Sequence, residues 1–315
     1  MRTGVIVPVH GWAPLLAETL DAILGQVPRP ETVVVVDDGS PERLQLHPDH
    51  AGECLLVCHD ECRGLAAARC TGLAQLDTEL VALCDDDDAW EPGKLAAQLA
   101  ALAKHPSASA CFGHAHVVGL DGRATGERWD ELPAGLHHAE GLLPLLYEHN
   151  PLCVSSALLR RRAVLAAGGF GGPPPTEDWD LWLRLLTAHH AFVMEPCAIV
   201  RYRRRPGAMS GNIAALARGQ MQLHETHRDL VTEEVRHRVE AADRTALARG
   251  LARDRAYGAA RAELLRAAAL HAPSARERAL SVALAVPGAR AALGRSDPYA
   301  PASSRLKRRW RSPGR

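Results

Sequence analysis

Leu80-Val-Ala-Leu-Cys84, an apolar run of strand length, ends in four consecutive carboxylates, Asp85-Asp86-Asp87-Asp88, followed at once by Ala89-Trp90-Glu91-Pro92. Carboxylates packed this densely at the end of a buried strand repel one another, so a fold that keeps them there is expected to supply a cation. The segment therefore reads as a divalent-metal site. The alternative is an acidic turn that caps the helix opened by Pro92, since Asp near a helix N-terminus favours the dipole. A cap needs one carboxylate, whereas a metal that also holds phosphate needs one or two at the correct spacing.

Outward from this stretch, short apolar runs alternate with helical patterns. Gly4-Val-Ile-Val-Pro-Val9 reads as a buried strand, Pro14 to Gly25 as a helix with Leu16, Leu20, Ile23 and Leu24 on one face, and Thr32-Val-Val-Val-Val36 as a second strand. That is a βαβ unit. Cys54-Leu-Leu-Val-Cys58 and Leu80 to Leu83 follow as strands on either side of an alanine-rich helix from Leu65 to Leu76, and Lys94 to Lys104 gives another helix. This alternation predicts an α/β fold: a mostly parallel, Rossmann-like sheet flanked by helices, with ligands at the carboxyl ends of the strands. Asp37-Asp38-Gly39-Ser40 and Asp85 to Asp88 each directly follow a strand and are expected near each other along one edge. From 107 to 202 the pattern loosens, with strands expected near Ala110 to Val118, Val154 to Leu159 and Ala191 to Val200. The loops between them are rich in Gly, Pro and His, and such loops carry recognition more often than fold. After Asn212 the chain is dominated by Ala, Arg, Leu and Glu, which predicts helices to about Ala272, a break at Pro273, and a further helical stretch.

The chain has 315 residues, with 37 basic and 37 acidic side chains, so its formal charge is zero and gives no reason to expect nucleic acid as a partner. The balance is uneven: Arg305-Leu-Lys-Arg-Arg-Trp-Arg311 is strongly basic. Such a tail reads as solvated, disordered chain, with peripheral contact to acidic lipid headgroups at the inner face of a membrane as the alternative. No apolar run approaches membrane-spanning length and the N-terminus is strand-like, so a soluble, cytoplasmic protein is expected. The eight cysteines sit mostly in apolar segments, as expected of reduced thiols. Cys54, Cys58 and Cys62 recur every four residues, which is not the close Cys-x-x-Cys pairing of structural zinc sites. The 16 histidines show no ligand pattern along the chain.

Several further segments complete a recognisable series. Val5-Ile-Val-Pro-Val-His10, Val36-Asp-Asp-Gly-Ser40, Gly64-Leu-Ala-Ala-Ala-Arg69-Cys-Thr-Gly72, Leu83-Cys-Asp-Asp-Asp-Asp-Ala-Trp-Glu-Pro92, and Gly168-Gly-Phe170 with Glu177-Asp-Trp-Asp-Leu-Trp-Leu-Arg184 follow one another in order. Over roughly residues 4 to 210 this series resembles glycosyltransferase family 2, the nucleotide-sugar-dependent enzymes of the GT-A fold. Any one segment alone is weak; the ordered set is specific. The resemblance implies a GT-A domain over 1–212, with a nucleotide-binding half 1–106 and an acceptor and catalytic half 107–212. Outside it lie a helical region, 213–292, and the basic tail, 293–315.

The resemblance also implies roles. Pro8, His10, Asp38, Arg69, Asp85 and Asp86 would bind the nucleotide sugar, Asp38 by accepting a hydrogen bond from a uracil-type base. Asp85 and Asp87 would hold Mg2+ or Mn2+, which suit carboxylate and phosphate oxygens and neutralise a diphosphate leaving group. Asp178 matches the proposed general base, with Glu177 beside it, and attack opposite the leaving group inverts the anomeric centre. The plainer use of both acids is to open a helix. Trp179, next to the base, is an acceptor-stacking candidate, although a tryptophan there more often belongs to a core. Four positions depart from the pattern: His10-Gly11 replaces an aromatic and Asn, Cys70 replaces Asn, and Arg205 replaces a His that is sometimes a metal or phosphate ligand. An arginine cannot bind a cation but can grip a diphosphate, so metal dependence is expected to be looser.

The expected activity is transfer of a sugar from a nucleotide donor, most simply a UDP-sugar, to the hydroxyl of a glycan, a lipid-linked or a small-molecule acceptor, as in glycan or cell-surface polysaccharide biosynthesis. The rivals are a nucleotide-sugar-binding protein without turnover and a nucleotidyltransferase. The latter needs a Gly-rich basic loop after the first strand, and none is present.

Overall fold

Ten strands join into one sheet in the computed structural model, which describes residues 1–11, 13–129, 132–205 and 211–285. The chain divides into two compact units, Met1–Pro206 and Gly207–Arg315. The first unit opens with β1 (Thr3–Val9), α1 (Leu16–Leu24), β2 (Thr32–Asp37), a short α2 (Pro48–Ala51), β3 (Leu55–Cys58), α3 (Leu65–Ala74) and β4 (Leu80–Leu83). Then come β5 (Ala89–Trp90), α4 (Lys94–Lys104), β6 (Ala108–Val118), β7 (Ala124–Arg128), β8 (Gly135–His137) and α5 (Ala139–Glu148). It ends with β9 (Leu158–Arg160), α6 (Arg161–Ala166), α7 (Glu177–Thr187) and β10 (Ala191–Arg203).

The strand order is β3-β2-β1-β4-β9-β6-β10-β5, with β7 on β6 and β8 on β10. β3, β2, β1 and β4 are mutually parallel, as the βαβ reading predicts. From β1 the chain builds outward to β2 and β3 on one side and then returns to β4 on the other, which makes the carboxyl end of β1 a topological switch point. The other half is more mixed than the sequence implies: β6 and β10 are parallel, but β9 enters antiparallel between β4 and β6, and β5, β7 and β8 pair antiparallel. Pro8 is tolerated in a central strand for a geometric reason. The Ile6 carbonyl accepts from Cys84 on the β4 side, so Pro8, two residues on, faces the same side, where the β4 ladder has already ended.

The core follows from the apolar runs. Val5, Val7, Val9, Val33, Val35, Leu80 and Ala82 are buried with Leu16, Leu20 and Ile23 of α1. Gly72 lets α3 lie close on β1, since a Cβ there would meet Ile6 Cγ2 at 2.5 Å. Gly39 has φ +66°, and a Cβ there would lie 2.2 Å from the Glu61 backbone, so the turn after β2 admits no other residue.

Two sequence expectations change. The run from Val154 to Leu159 is not one strand: Val154–Ser156 forms a 3-10 turn and the strand begins at Leu158. The cause is polar, because Ser155 and Ser156 turn their hydroxyls to buried partners and bend the backbone. Asp85 to Asp88 do not cap the helix after Pro92 either, for β5 intervenes and Gly93 is the residue before α4.

In the second unit α8 (Ile213–Thr226), α9 (Glu233–Arg253), α10 (Tyr257–Leu270) and α11 (Ala275–Ala285) pack as successive neighbours. Ala248, Ala252, Ala260, Leu264 and Leu284 form its largest apolar cluster, and a buried His224 bonds Asp243 at 2.6 Å. Among the described residues no helix is long and apolar enough to cross a membrane. The basic tail at 293–315 lies outside the described residues.

Candidate active site

The four aspartates diverge in environment although they are adjacent in sequence. Asp88 is fully buried: its Oδ1 accepts from the Arg203 backbone N–H at 2.9 Å and its Oδ2 from Ser155 Oγ at 2.5 Å. Burial above all, then Asp85 and Asp87, holds its carboxyl well above the ordinary carboxylate range, so it is a structural post. Asp85, Asp86 and Asp87 are half-buried at the strand end. Burial first, then the charges of Asp87 and Asp85, pushes Asp86 up to about 7. Asp87 is raised mainly by burial, against the pull of Arg205, whose Nε donates to Asp87 Oδ2 at 2.5 Å. Thr19 Oγ1 of α1 contacts the Asp88 and Asp86 carbonyls at 2.8 and 3.1 Å and fixes the turn.

Arg69, 1% exposed on α3, joins two motifs far apart in sequence. Its Nη2 donates to Asp85 Oδ1 at 2.9 Å and its Nη1 to Glu177 Oε1 at 2.6 Å, while the Phe170 ring centroid lies 5.9 Å from the guanidinium carbon. Removing one partner of such a buried pair costs about 3–5 kcal/mol, because the remaining charge is left uncompensated. Arg69 therefore organises the site as well as lying within it. Among the described residues, Glu177 Oε2 and Arg69 Nε are buried without a hydrogen-bond partner.

α7 opens with Glu177 and Asp178, where its dipole favours acids. Asp178 is half-buried, and its Oδ1 accepts from the Trp179 backbone N–H at 2.7 Å. Burial foremost, then the charge of Glu177, raises Asp178 to about 7 against the opposing pull of Arg69. That is where a general base is effective near neutral pH. The helix is anchored behind by Trp182, which packs edge-on to Phe112 at 4.9 Å. Trp179 corrects the acceptor-stacking expectation: it is 5% exposed and its Nε1 donates to the Leu146 carbonyl at 2.7 Å, so it belongs to the core against α5. Glu177, beside Asp178, is buried and bound to Arg69.

At the other corner, Pro8, His10 and Asp38 lie at the ends of β1 and β2. His10 Nδ1 donates to the Asp38 carbonyl at 2.9 Å. The Asp38 carboxylate is met by four donors of the protein itself. Its Oδ1 accepts from His59 Nδ1 at 2.7 Å and the Arg63 N–H at 2.9 Å, and its Oδ2 from the Gly64 N–H at 2.8 Å and the Cys62 thiol at 3.4 Å. Burial pushes this carboxyl up, but those donors outweigh it and hold it below the ordinary value. Asp37 makes the turn instead, with Oδ1 accepting from Ser40 N and Oδ2 from Leu44 N. Sequence reasoning missed Ser155 and His59. Neither had a signal along the chain, because each is brought in by a loop.

A sequence profile described as glycosyl transferase family 2 matches residues 4–168, more than half of the chain. The chain belongs to glycosyl transferase family 2. Within curated proteins it is similar to the glucosyl-dolichyl phosphate glucuronosyltransferase of Haloferax volcanii, 30% identical over 155 residues that cover 42% of this chain and 49% of that protein. The chain thus spans about half the length of that relative. Among solved structures it resembles the mannosyltransferase PcManGT from Pyrobaculum calidifontis in complex with GDP-Man and Mn2+, with TM-score 0.57, 21% identity, and 93% of this chain and 86% of that chain covered. S. aureus TarS 1-349 in complex with UDP-GlcNAc gives TM-score 0.58 at 19% identity, covering 93% of this chain and 84% of that one. These likenesses agree with the GT-A fold that the family's motifs imply.

Proposed function

We propose that the chain is a metal-dependent, inverting glycosyltransferase that moves a sugar from a nucleoside diphosphate donor, UDP-linked, to an acceptor hydroxyl in glycan or cell-surface polysaccharide biosynthesis. The observation that carries this reading is the Arg69 clamp. It holds the strand-end carboxylates and the α7 acids in one site, with Asp178 raised to about 7. The lipid-phosphate acceptor in the printed name of the Haloferax relative supports a lipid-linked acceptor as one case.

Asp85 and Asp87 are half-buried oxygen donors whose neighbour Asp86 is raised by burial and then by their charges, and this hard-oxygen set fits Mg2+ or Mn2+. When bound there, the cation supplies neutralisation of the leaving diphosphate's charge. The chain's own residues do the rest. Arg205, released from Asp87, offers its guanidinium fork to the diphosphate. Asp178 takes the acceptor's hydroxyl proton as the new C–O bond forms and the bond from the anomeric carbon to the diphosphate oxygen breaks. Since Oδ1 is held by Trp179 N–H, Oδ2 is the oxygen that receives the proton. Arg69 keeps Asp85 and Glu177 in place, and burial, with the charge of Glu177 added to it, keeps the base raised.

The test is nucleoside diphosphate release from a panel of UDP-, GDP- and dTDP-sugars with Mn2+ and candidate acceptors. Asp178→Asn is expected to lose about 10²–10⁴-fold in turnover with nucleotide affinity retained, as for removal of a general base. Release by Asp178→Asn equal to the parent's would remove Asp178 from the mechanism. No release from any donor with nucleotide still bound would favour the binding-protein reading.

A further inference from the structure

We propose that His10, Asp38 and Cys62 form a second cation site, for a transition metal of the zinc class, separate from the oxygen donors at 85–87. A ligand atom of each lies within 4.8 Å of the others. Around a tetrahedral ion with bonds of about 2.0–2.3 Å the ligands sit roughly 3.5 Å apart, and Cys62 Sγ and Asp38 Oδ2 already lie 3.4 Å apart. His10, which is exposed, is the residue that closes on the ion, while Asp38 is buried and fixed.

The surroundings have the features of a metal site's outer shell. The Asp38 carboxylate is mounted by His59 and by the Arg63 and Gly64 N–H groups, and His59 Nε2 is in turn bonded to Thr71 Oγ1 at 2.9 Å. A carbonyl can only accept, so the His10 bond to the Asp38 carbonyl places the proton on Nδ1 and leaves the lone pair of a neutral ring on Nε2. Ligating histidines are oriented in this way. The Cys62 thiol already points its proton at Asp38 Oδ2. On binding, the S–H bond breaks, the proton leaves to solvent, and a sulfur–metal bond takes its place, while Oδ2 keeps Gly64 N–H and exchanges the thiol for the ion. A fourth position stays open to water.

Imidazole, thiolate and carboxylate together suit zinc-class ions and not Mg2+, so an ion here need not compete with one at Asp85 and Asp87. The family resemblance also assigns His10 and Asp38 to the nucleotide sugar. Ion and nucleotide therefore exclude one another, a consequence that rests on the reading under Proposed function, whereas the binding itself does not.

The experiment titrates Cd2+ into the reduced, full-length chain without nucleotide and in excess Mg2+, following the ultraviolet thiolate-to-cadmium absorption. One saturable equivalent is expected. Cys62→Ser should abolish the band, His10→Ala should weaken binding by at least 10-fold, and Cys197→Ser, altering the other exposed thiol, should leave both unchanged. No saturable band in the parent, a band that survives Cys62→Ser, or His10→Ala binding as tightly as the parent would each overturn the site.

Discussion

Two carboxylates side by side, Glu177 and Asp178, show how environment divides work between chemically similar groups. Glu177 is 3% exposed and spent on Arg69; Asp178 is half-buried and raised to about 7. A general base must be ionised, so kcat/KM should rise with pH through a midpoint near 7 as Asp178 loses its proton. Glu177→Gln removes the like charge and frees Arg69 to favour the ionised base, so both effects lower the Asp178 pKa. The acid limb should move to lower pH but stop short of an ordinary aspartate, because burial is the largest cause and survives the change. A pH–rate profile of the two proteins checks this, and an unmoved limb would detach it from Asp178. At the other corner, the same kind of group is used oppositely: the donors around Asp38 keep it ionised and immobile.

Helix α4 carries an apparent inconsistency in an otherwise apolar stripe. Lys94 is fully buried, with its Nζ 3.9 Å from the centroid of the Trp90 ring and 2.8 Å from Gln98 Oε1, and burial pulls its pKa down to about 8. Unfolded, the same amine titrates near 10.5, so the unfolded chain binds more protons between about 8 and 10.5 and the folded state gains stability as pH rises through that window. Below it, both states are charged and the burial penalty is complete. Lys94→Met keeps the volume and removes the charge, so it should melt higher than the parent at pH 7, with the gap narrowing as pH approaches 10.5. Thermal melts at both pH values decide it, and a variant that melts lower at pH 7 would show that the Trp90 and Gln98 contacts outweigh desolvation. The loop into β9 shows the complementary case. Its β-rich composition reads as continuous strand, but Ser155 is needed by Asp88 and Asp85, and the backbone turns to deliver it.

Across the whole molecule, the acidic cluster is balanced from within: Arg69 meets Asp85, Arg205 meets Asp87, and Ser155 and Arg203 N–H meet Asp88. With three of the four aspartates held by protein donors, the fold is expected to stand without a cation. Chelator should abolish nucleoside diphosphate release while leaving the melting temperature unchanged, and Mn2+ should restore release; a large drop in melting temperature on chelation would show that these contacts do not suffice. The βαβ order, the placing of Asp38 and Asp85 to Asp88 at strand ends, and the acids that open α7 are legible along the chain. Each of these is written in a local period of apolar residues or in a short motif, and local periodicity survives folding unchanged. Three relations emerge only on folding: Arg69 reaches Glu177, 108 residues away, Trp179 turns inward to Leu146, and Cys62, whose spacing from Cys54 and Cys58 signals nothing, comes to lie beside His10 and Asp38. Those relations are set by which helix packs on which strand end and by how buried polar groups find their partners, and neither leaves a period in the chain.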